Sequence, residues 1–196
     1  MSLREALHRS GRPINAFVVD EGHSAHPDLA PLLRGEAELL PWLASTPAEF
    51  LIAIGLHGAV RERIAGMAQR IGLSPIAFHD STAIISGNSH RAPGSQVLAL
   101  AYLGPRVILG AHSIVNVGAI VEHEARIGAF SDIAPRATIL GQARIGARVL
   151  VGASATVLPG IGVCDDVVIG AGAVVTRDID ASGIYVGVPA RPIAKA

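Results

Sequence analysis

From Val97 onward, every sixth residue is a branched aliphatic: Val97, Leu103, Leu109, Val115, Val121, Ile127, Ile133, Ile139, Ile145, Val151, Val157, Val163, Ile169 and Val175. Two residues before each, from Ala101 to Ala173, stands Ala or Ser in nine of thirteen cases and Val or Ile in the other four. Neither a helical period of 3.6 nor a strand period of 2 keeps one chemistry at every sixth position. A hexapeptide repeat does, because each unit is one short strand and a turn. The pattern predicts a prism-shaped parallel β-helix whose aliphatics point inward and stack about 4.8 Å apart. The small residue also points inward, near a corner with little room. Glycine follows the aliphatic at Gly104, Gly110, Gly128, Gly146, Gly152 and Gly170, where it is expected to supply the positive φ of a tight corner. Spacing alone does not choose the hand of the coil.

Upstream the pattern changes. Residues 2–10 read as helix, stopped by Gly11. Ile14 to Val19 and Phe50 to Ile54 read as buried strands, and Ser74 to Phe78 as a third. Residues 22–34 read as loop. Glu36 to Ala44 and Ala59 to Ile71 have helical character, the second stopped by Gly72. Strands alternating with helices predict a small α/β domain with a parallel sheet over residues 1–80, followed by the β-helix over residues 81–196. Residues 81–94 read as the hinge. Ile85 is on the six-residue register, but Arg91 takes the next inward position, so the first coil is expected to be imperfect. After Val175 the register lapses, and a tail with Pro189 and Pro192 is expected to pack back on the prism.

Half the residues are hydrophobic but only 4% are aromatic, which fits an aliphatic, evenly sized core. A formal net charge of zero argues against a nucleic-acid or anionic-membrane surface. The single cysteine, Cys164, excludes an intrachain disulfide and reads as a small packing residue. No apolar run approaches the roughly 20 residues that span a bilayer, and the N-terminus lacks the apolar core of a signal peptide. A cytoplasmic location is therefore expected.

One window of the repeat, Asn116 to Glu124 (NVGAIVEHE), departs from the plain pattern. His123 lies two residues past Val121, off both inward registers, and should face outward. A neutral imidazole, with an ordinary pKa of about 6.5, can take a proton from an attacking amine or hydroxyl. Together with VVDE, FLIAIG, IGAFSDIAP, VIGAGAVVTRDI and GVPARPI, this window resembles the hexapeptide-repeat sugar acetyltransferases of the sialic-acid O-acetyltransferase and bacillosamine-pathway N-acetyltransferase group. The similarity covers nearly the whole chain.

The resemblance implies a left-handed β-helix behind a nucleotide-sugar-binding α/β domain. It also implies acetyl-CoA as donor without a metal, and a homotrimer with the cofactor in grooves between subunits. The acceptor would be an amino or hydroxyl group of a sugar, most specifically a nucleotide-linked 4-amino sugar. By the same resemblance His123 is the general base and Glu124 orients it, provided a corner turns between these two neighbours. Gly141, Ala153 and Ala171 correspond to acetyl-CoA positions, and Asp20, Gly55 and Asn116 to substrate positions. Two departures stand out. Asp132 occupies the place where relatives carry a second histidine near the acetyl donor, and a carboxylate cannot donate a hydrogen bond to an oxyanion. The glycine-rich GAGGH-type turn and its preceding strand have no counterpart, so the sheet is expected to lack its first strand. Two other readings compete. One is a non-catalytic β-helix trimer. The other is a zinc enzyme on the same prism, which needs three histidine ligands where the repeat offers His112 and His123.

Overall fold

The inward aliphatics dictate the coil. The computed structural model describes residues 7–11, 17–19, 32–46, 48–55 and 58–193. From Phe78–His79 to Val174–Val175 short strands recur every six residues, and each through Thr156–Val157 pairs in parallel with the strand eighteen residues on. Ile108–Leu109 faces Arg126–Ile127, which in turn faces Arg144–Ile145. Three hexads therefore make one coil, and the sheets of five, eight and six strands are the faces of a three-sided prism, a left-handed β-helix. The six-residue register holds: Val97, Leu103, Leu109, Val115, Val121, Ile133, Ile139, Val151, Val157 and Ile169 have no exposed surface. The alternate row of Ala101, Ala119, Ala125, Ala137, Ala143, Ala155 and Ala173 is equally buried. Each inward aliphatic removed from water contributes roughly 1.5–3 kcal/mol.

The corners differ from the sequence expectation. Positive φ falls three residues after each inward aliphatic, at every sixth position from Gly94 to Gly172. Most of these positions are not glycine: Leu100, Arg106, His112, Glu124, Phe130, Arg136, Gln142, Arg148, Ser154 and Asp166 all sit there with φ between 53° and 62°. The glycines that follow the aliphatics serve closeness instead. A Cβ on Gly110 would stand 2.7 Å from the Ala129 nitrogen, and one on Gly152 2.6 Å from the Ala171 nitrogen. The next coil leaves no room for a side chain.

The prism begins earlier than the pattern suggested. Phe78–His79 pairs with Gln96–Val97 and Ile84–Ile85 with Tyr102–Leu103, while His90–Arg91 pairs with Ile108–Leu109. The stretch read as a hinge is thus part of the first coil. Arg91 lies at its open end, where Nη1 meets His79 Nδ1 at 2.8 Å. At the other end the tail packs back as expected. Gly183–Val186 extends the eight-stranded face in parallel and Arg191–Ile193 closes it antiparallel.

The N-terminal strands form two separate parallel pairs, Phe17–Val19 with Leu32–Arg34 and Glu49–Phe50 with Ser74–Pro75, rather than one sheet. Helix α1 spans Gly35–Leu43 and α2 spans Gly58–Arg70; α2 is the crossover that joins its parallel pair. Leu32–Arg34 forms a strand where the sequence predicts loop, and residues 14–16 lie outside the described residues. The strand expected through Ile54 stops at Phe50, and side chains take up the carbonyls beyond it. Gln96 Nε2, on the prism, donates to the Ile52 carbonyl at 2.8 Å, and Arg61 Nη1, on α2, to the Ile54 carbonyl at 3.4 Å.

This docking seam, against the eight-stranded face and its corner with the five-stranded one, is dense in polar groups. Arg61 is fully buried and its Nη2 also donates to the Phe130 carbonyl. Burial lowers the Arg61 pKa and the Asp132 carboxylate raises it. His112 is sandwiched between Phe50 and Phe130, with ring centroids 5.7 and 5.2 Å away.

Two outcomes follow. Ile139→Asp places an unpaired carboxylate in the stack and should cost several kcal/mol, whereas Arg144→Ala, on an exposed side chain, should stay within about 0.5 kcal/mol of wild type. Denaturant titration measures both; equal midpoints would contradict the inward register. His112 is the second case. Burial, and behind it the Arg61 cation, pulls its pKa below the ordinary value. The folded state therefore binds fewer protons than the unfolded one, so this contribution is present above about pH 6.5 and declines as pH falls below it. The melting temperature should drop between pH 7 and 5, and His112→Phe, which keeps the stack, should flatten that drop.

Candidate active site

The left-handed corners bring residues eighteen apart into columns. One column, at the corner between the six- and five-stranded faces, contains Arg106, Glu124 and Gln142. The backbone fixes it: the Glu124 N–H donates to the Pro105 carbonyl and the Gln142 N–H to the His123 carbonyl, each at 2.9 Å. Because Glu124 has a φ of 61°, the chain turns where an extended strand would send neighbouring side chains to opposite faces. His123 Nδ1 consequently lies 3.3 Å from Glu124 Oε2. That contact leaves Nε2 as the nitrogen open to a substrate. The His123 side chain is about half exposed, at 52%. Its ring lies across Gly141 in the next coil, where a Cβ would stand 2.5 Å from Nε2.

Glu124 is held from both neighbouring coils. Gln142 Nε2 donates to Oε2 at 3.1 Å and Arg106 Nη2 meets Oε1 at 3.0 Å. Hydrogen bonds from Gln142, Arg106 and His123, in that order, pull its pKa down to about 2. The carboxylate stays ionised at any working pH. The pair offers an outward imidazole with a fixed anion behind it, a general-base arrangement.

The other sequence candidates divide between different parts of the prism. Asn116 Oδ1 accepts its neighbour Val117 N–H at 2.8 Å, at the corner that opens the six-stranded face; His123 is at the corner that closes it. Ala153 and Ala171 are exposed and stack one coil apart on the Asn116 side, the Gly172 N–H donating to the Ala153 carbonyl at 2.9 Å. Gly141 belongs to the His123 column. Asp132 lies buried on the eight-stranded face, next to Gly55, where a Cβ would approach Oδ2 to 3.4 Å. Asp20 lies outside the described residues. In a three-sided prism the His123 corner is opposite the eight-stranded face, so one chain does not gather His123, Gly55 and Asp132 around one substrate. His112 and His123 sit on different corners, and no metal-capable cluster of three or more His, Cys, Asp or Glu occurs among the described residues.

Three residues of the site and its support went unread in the sequence. Arg106 and Gln142 stand eighteen residues either side of Glu124, a relation the period itself contains. Arg61, a polar residue on an apparently surface helix, carried no such signal.

Residues 142–177 match the family described as the hexapeptide repeat of succinyl-transferase. No curated protein matches the chain. Among solved structures, it is similar to PerB from Caulobacter crescentus, determined in complex with CoA and GDP-perosamine, with 28% identity and a TM-score of 0.87 over 97% of this chain and 90% of that one. It is also similar to the acetyltransferase domain of PglB from Neisseria gonorrhoeae, with 27% identity and a TM-score of 0.87 over 96% and 92% of the two chains. A second structure of that domain contains acetyl coenzyme A. The N-acyltransferase AntD from Bacillus cereus, at 19% identity and a TM-score of 0.56, shares the fold over 60% of this chain. Residues 142–177 thus carry the hexapeptide repeat, and the chain shares the fold of PerB and of the PglB acetyltransferase domain over nearly its whole length.

Proposed function

We propose that the chain is an acetyl-CoA-dependent N-acetyltransferase acting on the amino group of a nucleotide-linked 4-amino sugar, with His123 as general base. The observation that carries this reading is the His123–Glu124 couple, held on an outward corner of a fold similar to enzymes solved with CoA and GDP-perosamine. The amine nitrogen attacks the thioester carbonyl carbon while His123 Nε2 takes its proton. The tetrahedral intermediate then collapses to the amide as the C–S bond breaks. CoA leaves as the thiolate, which the imidazolium can reprotonate. Glu124 holds the ring through Nδ1 and stabilises the cation that forms.

Acetyl-CoA would run past Gly141, Ala153 and Ala171, using backbone groups. The nucleotide sugar would meet Gly55 and Asp20, from the part of the chain before about residue 80, with Asn116 bordering the groove. Asp132 accepts hydrogen bonds but cannot donate them when ionised, so backbone N–H groups would stabilise the oxyanion. The separation of His123 from Gly55 and Asp132 within one chain supports a homotrimer whose sites form between subunits. We further propose a cytoplasmic location.

His123→Ala should lower kcat by roughly 10²–10⁴, the usual contribution of a positioned base, and leave the KM for acetyl-CoA nearly unchanged. The assay is single-turnover acetylation of GDP-, UDP- and dTDP-linked 4-amino sugars. Wild-type turnover in the variant would remove His123 from the mechanism.

A further inference from the structure

We infer that Arg106 and Gln142 are positioning residues for the reaction: they act on the His123 base through Glu124, each holding one oxygen of the carboxylate that orients the ring. The inference rests on the reading of His123 as the base. Three independent features of the column support it. Arg106, Glu124 and Gln142 occupy the same left-handed corner in successive coils, with φ of 56°, 61° and 62°. Each outer residue addresses a different carboxylate oxygen, Arg106 on Oε1 at 3.0 Å and Gln142 on Oε2 at 3.1 Å. Oε2 is also the oxygen that faces His123 Nδ1. The Arg106 backbone is itself fixed, its N–H donating to Asn88 Oδ1 at 3.1 Å from the preceding coil. Such a column holds both oxygens of the carboxylate, and with them the direction in which it presents a lone pair to the imidazole.

The two holders differ in charge, and that difference separates their roles. Arg106 places a cation on the far oxygen, so it holds Glu124 by charge as well as by hydrogen bonding. Gln142 is neutral, so it directs the carboxylate without changing the local charge. Arg106 is the cation in contact with Glu124; Glu122 and Arg126 flank Glu124 along its own coil, Arg144 stands beside Arg126 one coil on, and all three remain in every variant below. Arg106 is well exposed, at 64% of its side chain, so its effect is screened by salt.

The test uses the full chain and four variants, Arg106→Asn, Arg106→Lys, Gln142→Asn and His123→Ala. Asn is too short to reach Glu124 and tolerates the left-handed backbone. The readouts are kcat, its dependence on salt, and the KM for acetyl-CoA. Arg106→Asn should lower kcat several-fold, and Arg106→Lys, which keeps the charge, should restore most of it. Gln142→Asn should lower kcat several-fold without moving the acetyl-CoA KM. The Arg106 contribution should weaken at high salt and the Gln142 contribution should not. A merely structural role would not lower kcat selectively. If His123→Ala is inactive while the Arg106 and Gln142 variants keep the wild-type kcat, the column is not a positioning device. If His123→Ala is itself fully active, the base assignment fails, and this inference with it.

Discussion

Stacking at an interval of eighteen residues is the constraint on which everything else rests. Inward aliphatics fill a prism too narrow for aromatic rings, and the chain must turn sharply after every sixth residue. Those turns place ten non-glycine residues at positive φ, a conformation that costs on the order of 1 kcal/mol or more each for a residue with a Cβ. The cost is offset by the coil-to-coil hydrogen bonds that the same corners make, such as Glu124 N–H to the Pro105 carbonyl, and by the buried columns beneath them. Function is then organised by column. A residue's neighbours along the chain matter less than those one coil above and below.

Much of this was legible in the sequence because a period of six with one chemistry has a single physical explanation. The inward register from Val97 to Val175 stands residue for residue. The glycines were placed correctly but explained wrongly, since spacing marks a special position without saying whether backbone freedom or lack of space makes it special. At Gly110 and Gly152 the answer is space, visible only once the next coil is present. Arg106 and Gln142 are hidden for another reason. Apolar positions advertise the period, whereas the polar column at the His123 corner obeys the same interval without a shared chemistry.

The N-terminal part was less legible because its short strands are governed by docking. FLIAI has the composition of a buried strand, and Ile52 is indeed buried. Its carbonyl, however, accepts from Gln96 on the prism instead of from a neighbouring strand. No local pattern distinguishes those partners. The same holds for Arg61, whose helix offers no sign that a guanidinium will be removed from water. Burial of such a cation is tolerable only with several acceptors and a compensating charge. Here the Ile54 and Phe130 carbonyls and the nearby Asp132 carboxylate provide them.

That arrangement changes how Asp132 is to be understood. By resemblance it stands where a second histidine would approach the acetyl donor, and a carboxylate there looks like a loss. In this chain the position faces a buried arginine on the domain that leans against the prism. A histidine in its place would leave Arg61 without its offsetting charge, and its own protonation would add a second cation to a seam where burial and Arg61 already lower the His112 pKa. Asp132 and Arg61 are thus electrostatically coupled across the seam, so a change at 132 acts on the docking contact as well as on the proposed site between subunits.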